Sequence, residues 1–302
     1  MDSRKILLMQ PIKERICNNL SFEEAIQLRD SLGLPSLKCQ IPINDPSKQI
    51  FSLNRIDEKT ISVYKAIQKQ GSRFLLFGSR YPLWVYQILL ENGINVNLAD
   101  IDGRTPLMIA VENGKYDKVK LFLDYGATVD NVTDYGSTTL TLAVMSGNLD
   151  IVKLLIDAGS QIEMTDNWGD TALSIASSIG NLEIVKFLVE KGVNVNNVNE
   201  SRFTPLLLAV NHNHLETAKF LLDSSADVNA IDENGDSSLM QATSQGNFEM
   251  VKLLLEYKAD VNPVHPMMMS AVDSAKVNNY SEIVKILEQY GAISTQENRN
   301  LE

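Results

Sequence analysis

Residues 100–126 read DIDGRTPLMIAVENGKYDKVKLFLDYG, and this stretch decides the fold of the chain. Thr105 can cap a helix with its hydroxyl, and Pro106 suits the first helical position because no amide hydrogen is needed there. Gly114 can adopt the left-handed conformation that ends a helix. A second segment with apolar residues on one face follows and stops at Gly126. The stretch therefore predicts two short helices joined by a turn.

The same pattern recurs along the chain with a constant period. Copies of the Thr-Pro-Leu-x-x-Ala segment begin in register at Thr105, Thr138, Thr171, Thr204, Ser237 and Ser270. A single helix pair is too small to close a core, so apolar columns with this period are buried only when successive units stack. The sequence therefore predicts an all-α solenoid of helix-turn-helix units, with a β-turn finger of the form Asp-x-x-Gly between units.

These motifs resemble the ankyrin repeat, with its Asp-x-x-Gly-x-Thr-Pro-Leu-x-x-Ala start, its Gly-x-x-x-x-Val-x-x-Leu-Leu middle and its Gly-Ala-x-Val-Asn end. The resemblance covers about residues 83–293. It implies six repeats within residues 98–293, at 98–130, 131–163, 164–196, 197–229, 230–262 and 263–293. The family's usual His after Pro-Leu is replaced by Met108, Thr141, Ser174, Leu207, Met240 and Asp273. A hydrogen bond between repeats is therefore expected to be lost.

Both ends of the array depart from the repeat pattern. Residues 83–97 match the second half of a repeat, but Phe74 and Phe77 occupy the Leu and Ala columns of the first half. We therefore interpret residues 56–97 as a degenerate N-terminal capping region, since terminal units of solenoids are atypical. The polar residues 294–302 are expected to form a frayed tail.

Ahead of the capping region, the sequence of 1–34 predicts a helical hairpin and that of 35–55 a linker. Ser21 and Glu24 have the spacing of a capping box. Two interpretations stay open: the hairpin caps the solenoid, or it resembles the F-box, the module that attaches a substrate receptor to a cullin ubiquitin ligase. The F-box resemblance implies five residues facing a ubiquitin-ligase adaptor, namely Pro11, Ile12, Ile16, Leu20 and Leu28.

Charge and composition limit the classes of partner. Residues 1–60 hold nine Lys/Arg and eight Asp/Glu, which leaves 18 of the chain's 27 basic and 30 of its 38 acidic residues for the repeats. Such a surface repels phosphates and anionic lipid, so we expect a protein partner with a basic segment and neither nucleic acid nor membrane. The chain has only Cys17 and Cys39 and no leader-like segment, so a location in the cytoplasm, and also in the nucleus, is expected. We also expect a monomer.

The sequence predicts no enzyme, no cofactor and no metal site. His212 and His214 lack a third ligand nearby, and the repeat pattern places them at a surface turn. Cys17 is interpreted as a free buried cysteine. The glycines are explained as helix stops and turns, which leaves no phosphate-binding loop.

The ankyrin resemblance implies a concave binding face made of finger tips and the exposed sides of the first helices. Three aromatic residues fall on consecutive fingers, so exposure of all three is expected. The predicted partner-binding residues are Tyr135, Trp168, Phe203, Met145, Ile179, Asp170, Asp236 and Arg104. Two interpretations stay open: these aromatics form a binding hot spot, or they cover the apolar edge of the adjoining repeat.

A second kind of interaction is also suggested by the resemblance. Asn229 and Asn262 follow a Leu-x5-Asp-Val pattern that resembles sites modified by an asparaginyl hydroxylase. This would make the protein a substrate of that enzyme in a eukaryotic host.

Overall fold

The computed structural model describes residues 75–76, 83–91, 93–262 and 269–294. The predicted hairpin at 1–34, the linker at 35–55, residues 56–74 and 77–82 of the capping region, with Phe74 and Phe77, and residues 295–302 lie outside the described residues. The same holds for the proposed adaptor-facing residues Pro11, Ile12, Ile16, Leu20 and Leu28, which stay predictions. Among the described helices, none has the length and hydropathy needed to cross a bilayer.

The chain forms two compact units, residues 1–99 and 100–302. In the described part of the first unit, helix α1 spans Leu83–Glu91, at the position expected for the second helix of a repeat. Tyr86, Leu89 and Leu90 are buried. Gly93 follows with a φ of +77°, as expected of a residue that ends a helix.

The described part of the second unit contains twelve helices in six pairs, and no strand is present there. The first helices of the pairs are α2 Pro106–Glu112, α4 Thr139–Met145, α6 Ala172–Ser178, α8 Pro205–Asn211, α10 Ser238–Ser244 and α12 Ala271–Val277. The second helices are α3 Tyr116–Asp124, α5 Leu149–Asp157, α7 Leu182–Glu190, α9 Leu215–Asp223, α11 Phe248–Glu256 and α13 Ser281–Gln289. The predicted all-α solenoid is confirmed.

Hydroxyl caps begin every first helix, as the repeated Thr and Ser predict. Each cap oxygen accepts the backbone N–H three residues later, at 3.0–3.3 Å. Where the family has His, Thr141 instead donates its hydroxyl to the Thr138 carbonyl oxygen at 2.9 Å. Ser174 closes a capping box with Thr171. These local hydrogen bonds satisfy the polar side chains that replace the family's histidine.

The core follows the predicted columns. First helices of successive repeats pack against each other, and so do the second helices. The Leu column of the first helices is buried throughout, at Leu107, Leu140, Leu173, Leu206, Leu239 and Val272. Because each column needs its neighbours to exclude water, the free energy of folding depends on contacts between repeats.

A ladder of side-chain hydrogen bonds joins the loops of successive repeats. Side-chain oxygens of Asp130, Glu163, Asn196, Asn229 and Asn262 accept the backbone N–H of the residue 31 positions later, at 2.7–3.0 Å. Asn262 also donates its amide to the Gly291 carbonyl oxygen at 2.8 Å. Asn229 and Asn262 therefore have a structural role, and their hydroxylation stays a prediction.

Three turn positions in each of the first five repeats have a positive φ. In the repeats at 98–196, glycine occupies all of them. In the fourth repeat the residues are Arg202, Asn213 and Ser225, with φ values of 62°, 62° and 70°. Lys258 and Asn279 follow, at 63° and 59°. Asn213 and Asn279 stand where other repeats have the glycine that ends the first helix, whereas Arg202, Ser225 and Lys258 occupy a conformation that side chains other than Asn and Asp disfavour.

Candidate protein-binding face

The finger that presents Trp168 is fixed by hydrogen bonds on both sides. Asp166 Oδ1 accepts the backbone N–H of Trp168 and of Asp170, both at 2.9 Å. The Trp168 carbonyl oxygen accepts the N–H of Glu200, on the next finger, at 2.9 Å. The backbone at this tip is therefore held in place before any partner binds.

Large apolar side chains are exposed where the sequence predicts a binding face. The exposed fractions are 66% for Tyr135, 59% for Trp168 and 61% for Met145, and Ile179 is exposed as well. Tyr135 and Trp168 occupy equivalent positions on consecutive fingers. Met145 and Ile179 lie at the C-terminal ends of helices α4 and α6. We call the surface formed by the fingers and these helix ends the finger face.

Phe203 does not share this exposure, so that part of the prediction is wrong. Its side chain is half-buried. The Phe203 N–H donates to Asn199 Oδ1 at 2.9 Å, and the next residue, Thr204, is the buried cap of α8. This partial burial distinguishes Phe203 from Tyr135 and Trp168, which occupy a different position of the finger. This favours, for Phe203 alone, the interpretation that the aromatic ring covers a neighbouring repeat.

Four exposed apolar residues of the finger face were missed by sequence reasoning. Ile101, with 94% of its surface exposed, stands on the first finger beside Asp102. Val132, Val198 and Ile231 are exposed in a single column, each preceding the first residue of its finger turn. Their recurrence at one position of the repeat was the available signal. They extend the apolar surface along the repeats.

Asp170 is a half-buried carboxylate two residues after Trp168. Asn199 donates its side-chain amide to Asp170 Oδ1 at 3.0 Å. Burial raises the pKa of Asp170 above its ordinary value, the Asn199 hydrogen bond opposes this, and the negative charge of Asp166 adds to it. Because the folded-state pKa is raised, ionisation of Asp170 disfavours the folded state once the pH rises through that pKa.

Arg104 forms ion pairs with three carboxylates of its own repeat, and its contact with a partner stays a prediction. Its guanidinium contacts the carboxylates of Asp100 at 2.9 Å, Asp102 at 3.2 Å and Glu112 at 3.9 Å. Burial raises the pKa of Asp100, but the hydrogen bonds from Arg104 and Asp102 outweigh it and the net pKa shift is downward. Asp236 is half-buried, and its N–H donates to Asp232 Oδ1 at 3.0 Å.

The histidine pair has a structural explanation. His214 Nε2 lies 2.9 Å from the Ser178 carbonyl oxygen of the preceding repeat, within hydrogen-bond distance. The His212 ring stacks beside the His214 ring, with centroids 6.3 Å apart. Across the described residues, no cluster of three or more His, Cys, Asp or Glu side chains is arranged to hold a metal ion.

This contact predicts unequal effects for two glycine substitutions. Gly180 and Gly114 occupy equivalent turns, with φ of +72° and +62°. A Cβ at Gly180 would lie 2.3 Å from His214 Nδ1, whereas a Cβ at Gly114 meets nothing within 4 Å. We expect Gly114→Ala to lower the free energy of unfolding by about 1 kcal/mol and Gly180→Ala by about 2 kcal/mol. Urea titration of both variants measures the difference, and equal losses would show that the His214 ring moves aside without cost.

A family model for ankyrin repeats matches residues 79–166, 140–232 and 226–298, which together exceed half of the chain. The chain belongs to the ankyrin repeat family. Among solved structures, the ankyrin repeat domain of human ASB11 shares 26% identity, with a TM-score of 0.63 over 74% of this chain and 98% of that one. The ankyrin repeat domain of Bcl-3, a member of the IκB family, shares 32% identity, with a TM-score of 0.58 over 64% of this chain and 88% of that one. No curated protein matches the chain.

Membership in the ankyrin repeat family agrees with the sequence prediction that the repeats form a protein-binding module. Ankyrin repeats are general protein-protein interaction modules and are typically non-catalytic. The ankyrin fold itself does not specify the partner, because function depends on the residues displayed on the fold. The finger face of this ankyrin array is therefore the surface to consider.

Proposed function

We propose that the chain is a non-catalytic interaction scaffold that binds a protein partner on the finger face around Trp168. The observation that supports this best is that Trp168 and Tyr135 are exposed at equivalent turn positions on consecutive fingers. Trp and Tyr are enriched among the residues that dominate binding energy at protein interfaces. Clustered exposed apolar groups of this size are uncommon on surfaces that contact only water.

Preorganisation of the finger supports the same proposal. Binding costs less when the contacting groups are already ordered, because less conformational entropy is lost. The hydrogen bonds from the Trp168 and Asp170 backbone to Asp166, and from Glu200 to Trp168, supply that order. Trp168 would then act as a rigid anchor that a partner covers.

Replacing Trp168 with Ala should abolish capture of the partner. Truncation of a buried interface Trp costs about 2 kcal/mol or more, which is roughly a thirtyfold loss of affinity. The measurement is affinity purification from a cell extract with the full-length chain as bait, followed by mass spectrometry of the captured proteins. Far-UV circular dichroism should be unchanged, because the exposed Trp168 side chain lies outside the core.

Tyr125→Ala is the matched control. Tyr125 is also an exposed aromatic residue, but it follows helix α3 and lies outside the finger face. Its removal should leave the captured proteins unchanged. If Trp168→Ala captures the same proteins as the natural chain, the binding site lies elsewhere.

The ubiquitin-ligase receptor remains a separate hypothesis about residues 1–34. An adaptor that co-purifies with the full-length chain and is lost when residues 1–40 are removed would support it. In that case the proteins captured through Trp168 would be candidate substrates. If the adaptor were retained without residues 1–40, the F-box hypothesis would fail while the finger-face proposal stands.

A further inference from the structure

The first and third fingers differ in how their carboxylates are neutralised. In the first finger, the Arg104 guanidinium lies between Asp100, Asp102 and Glu112. The equivalent positions of the third finger, two repeats later, hold Asp166, Trp168 and Ser178, and Asp170 stands in place of Arg104. The cation of the first finger is thus replaced by a second carboxylate. Within residues 100–262, no cationic side chain forms an ion pair with Asp166 or Asp170.

The contacts of the Asp170 carboxylate offset only part of the free-energy cost of burying it. It is half-buried, its side-chain contact is the neutral amide of Asn199, and burial raises its pKa. A cation brought by a partner would offset this cost, as Arg104 does for Asp100 in the first finger. The indole of Trp168, exposed beside it, offers the flat face on which a guanidinium stacks.

We propose that the segment recognised by the finger face is a linear stretch of a partner protein that places an arginine against Trp168 and Asp170. This rests on the proposed function, since it names the chemistry of the partner bound at that face. Arginine suits the site better than lysine because its planar group can stack on an aromatic ring and donate to a carboxylate at the same time.

The net charge of the fingers agrees with a cationic segment. The five fingers at 99–104, 132–137, 165–170, 198–203 and 231–236 contain nine Asp/Glu and two Arg. One of the two, Arg104, is already paired within its finger. The other, Arg202, is exposed on the finger that follows Trp168. The remaining field attracts a basic segment and opposes an acidic one.

The separation between Trp168 and the exposed apolar residue Ile179 predicts how far apart the arginine and an apolar residue lie in the partner segment. Helix α6, whose seven residues span about 11 Å, separates the Trp168 finger from the exposed Ile179. An extended chain covers about 3.3–3.6 Å per residue, so about three or four residues bridge this distance. We therefore expect an apolar side chain three or four positions from the arginine, directed at Ile179.

Selection from a phage-displayed library of random linear 12-residue peptides tests this inference, with the full chain as bait. The natural chain should select peptides with arginine three or four positions from an apolar residue. One selected peptide is then synthesised with arginine and with citrulline, its neutral analogue of nearly equal shape. For the natural chain, citrulline should weaken binding about tenfold.

Asp170→Asn provides the matched comparison on the protein side. The Asn side-chain oxygen can still accept the Asn199 amide, so the fold of the finger is retained. Asp170→Asn should weaken binding of the arginine peptide about tenfold and leave the citrulline peptide almost unaffected. Asp157→Asn, which removes the same charge at the end of helix α5, should change neither affinity.

Each outcome separates the two proposals. Peptides whose binding depends on Trp168 but shows no preference for arginine over citrulline would overturn the inference and leave the proposed function standing. An equal loss of both peptides on Asp170→Asn would also overturn the inference, since the carboxylate would then act on the fold. If no selected peptide depends on Trp168, the inference fails, whereas the proposed function is decided by the capture experiment with Trp168→Ala.

Discussion

Replacing Phe122 with Ala should lower the free energy of unfolding by about 3–5 kcal/mol, because a large buried side chain leaves a cavity that the core fills only in part. Phe122 lies on helix α3 and is 1% exposed. It occupies the column that is Leu at 155, 188, 221, 254 and 287. In a solenoid each repeat is stabilised by its neighbours, so the loss should weaken the adjoining repeat as well. Urea titration followed by circular dichroism measures it.

Phe187→Ala is the control for this prediction. Phe187 lies on helix α7 and is only half-buried, with the Lys153 and Lys191 ammonium groups 5.8 and 5.3 Å from its ring centroid. Its removal should cost about 1–2 kcal/mol, from partial burial and cation–π contact. A cost as large as that of Phe122→Ala would mean that burial along these columns does not set the stability of the array.

The fold could be predicted because each local signal recurs in register. Thr105 and its equivalents are caps in the structure, and Leu107 and its equivalents are buried, as the repeated spacing requires. Glycine at a helix end has one dominant physical reason, the left-handed conformation, so Gly114 and Gly126 were interpreted correctly. Because the pattern occurs six times, caps and core positions could be assigned even in repeats that differ from the others at single residues.

The binding face was only partly predictable, because the exposure of a side chain depends on the three-dimensional geometry of its finger. Tyr135 and Trp168 are exposed as expected, but Phe203 is half-buried beside the cap of α8. Arg104 has the charge of a partner-binding residue, yet its position near Asp100 and Glu112 pairs it within the protein. Ion pairing of this kind leaves no recognisable pattern in the repeated sequence. It becomes visible only when the turn geometry is known.

The fourth repeat departs from the glycine pattern at its turns. It has no glycine at any of its three left-handed turns, where Arg202, Asn213 and Ser225 stand. Asn213 has a compensating contact, since its side-chain oxygen accepts the Asn247 amide. Arg202 and Ser225, with Lys258 in the fifth repeat, have side chains that form no hydrogen bond or ion pair within the described part of the chain. The left-handed conformation costs such residues about 1–2 kcal/mol each.

The combined replacement Arg202→Gly, Ser225→Gly and Lys258→Gly should therefore raise the free energy of unfolding by about 3 kcal/mol. Relief of the left-handed strain exceeds the entropy that glycine adds to the unfolded chain, and the three side chains share no hydrogen-bond partner, so we expect their effects to add. Urea titration measures the gain.

Ser201→Gly is the control for these glycines, because it introduces a glycine one residue before Arg202, where the backbone has no positive φ to relieve. It should lower the free energy of unfolding slightly, by about 0.5 kcal/mol, since only the entropy cost of glycine remains. If the triple variant were no more stable than the natural chain, the turns of the fourth and fifth repeats would have to relax to negative φ in solution. If it gained the expected stability and kept its partner, Arg202 would have no part in binding. A gain in stability with a loss of capture would instead show that the strained turn holds Arg202 at the finger face for the partner, at the expense of stability.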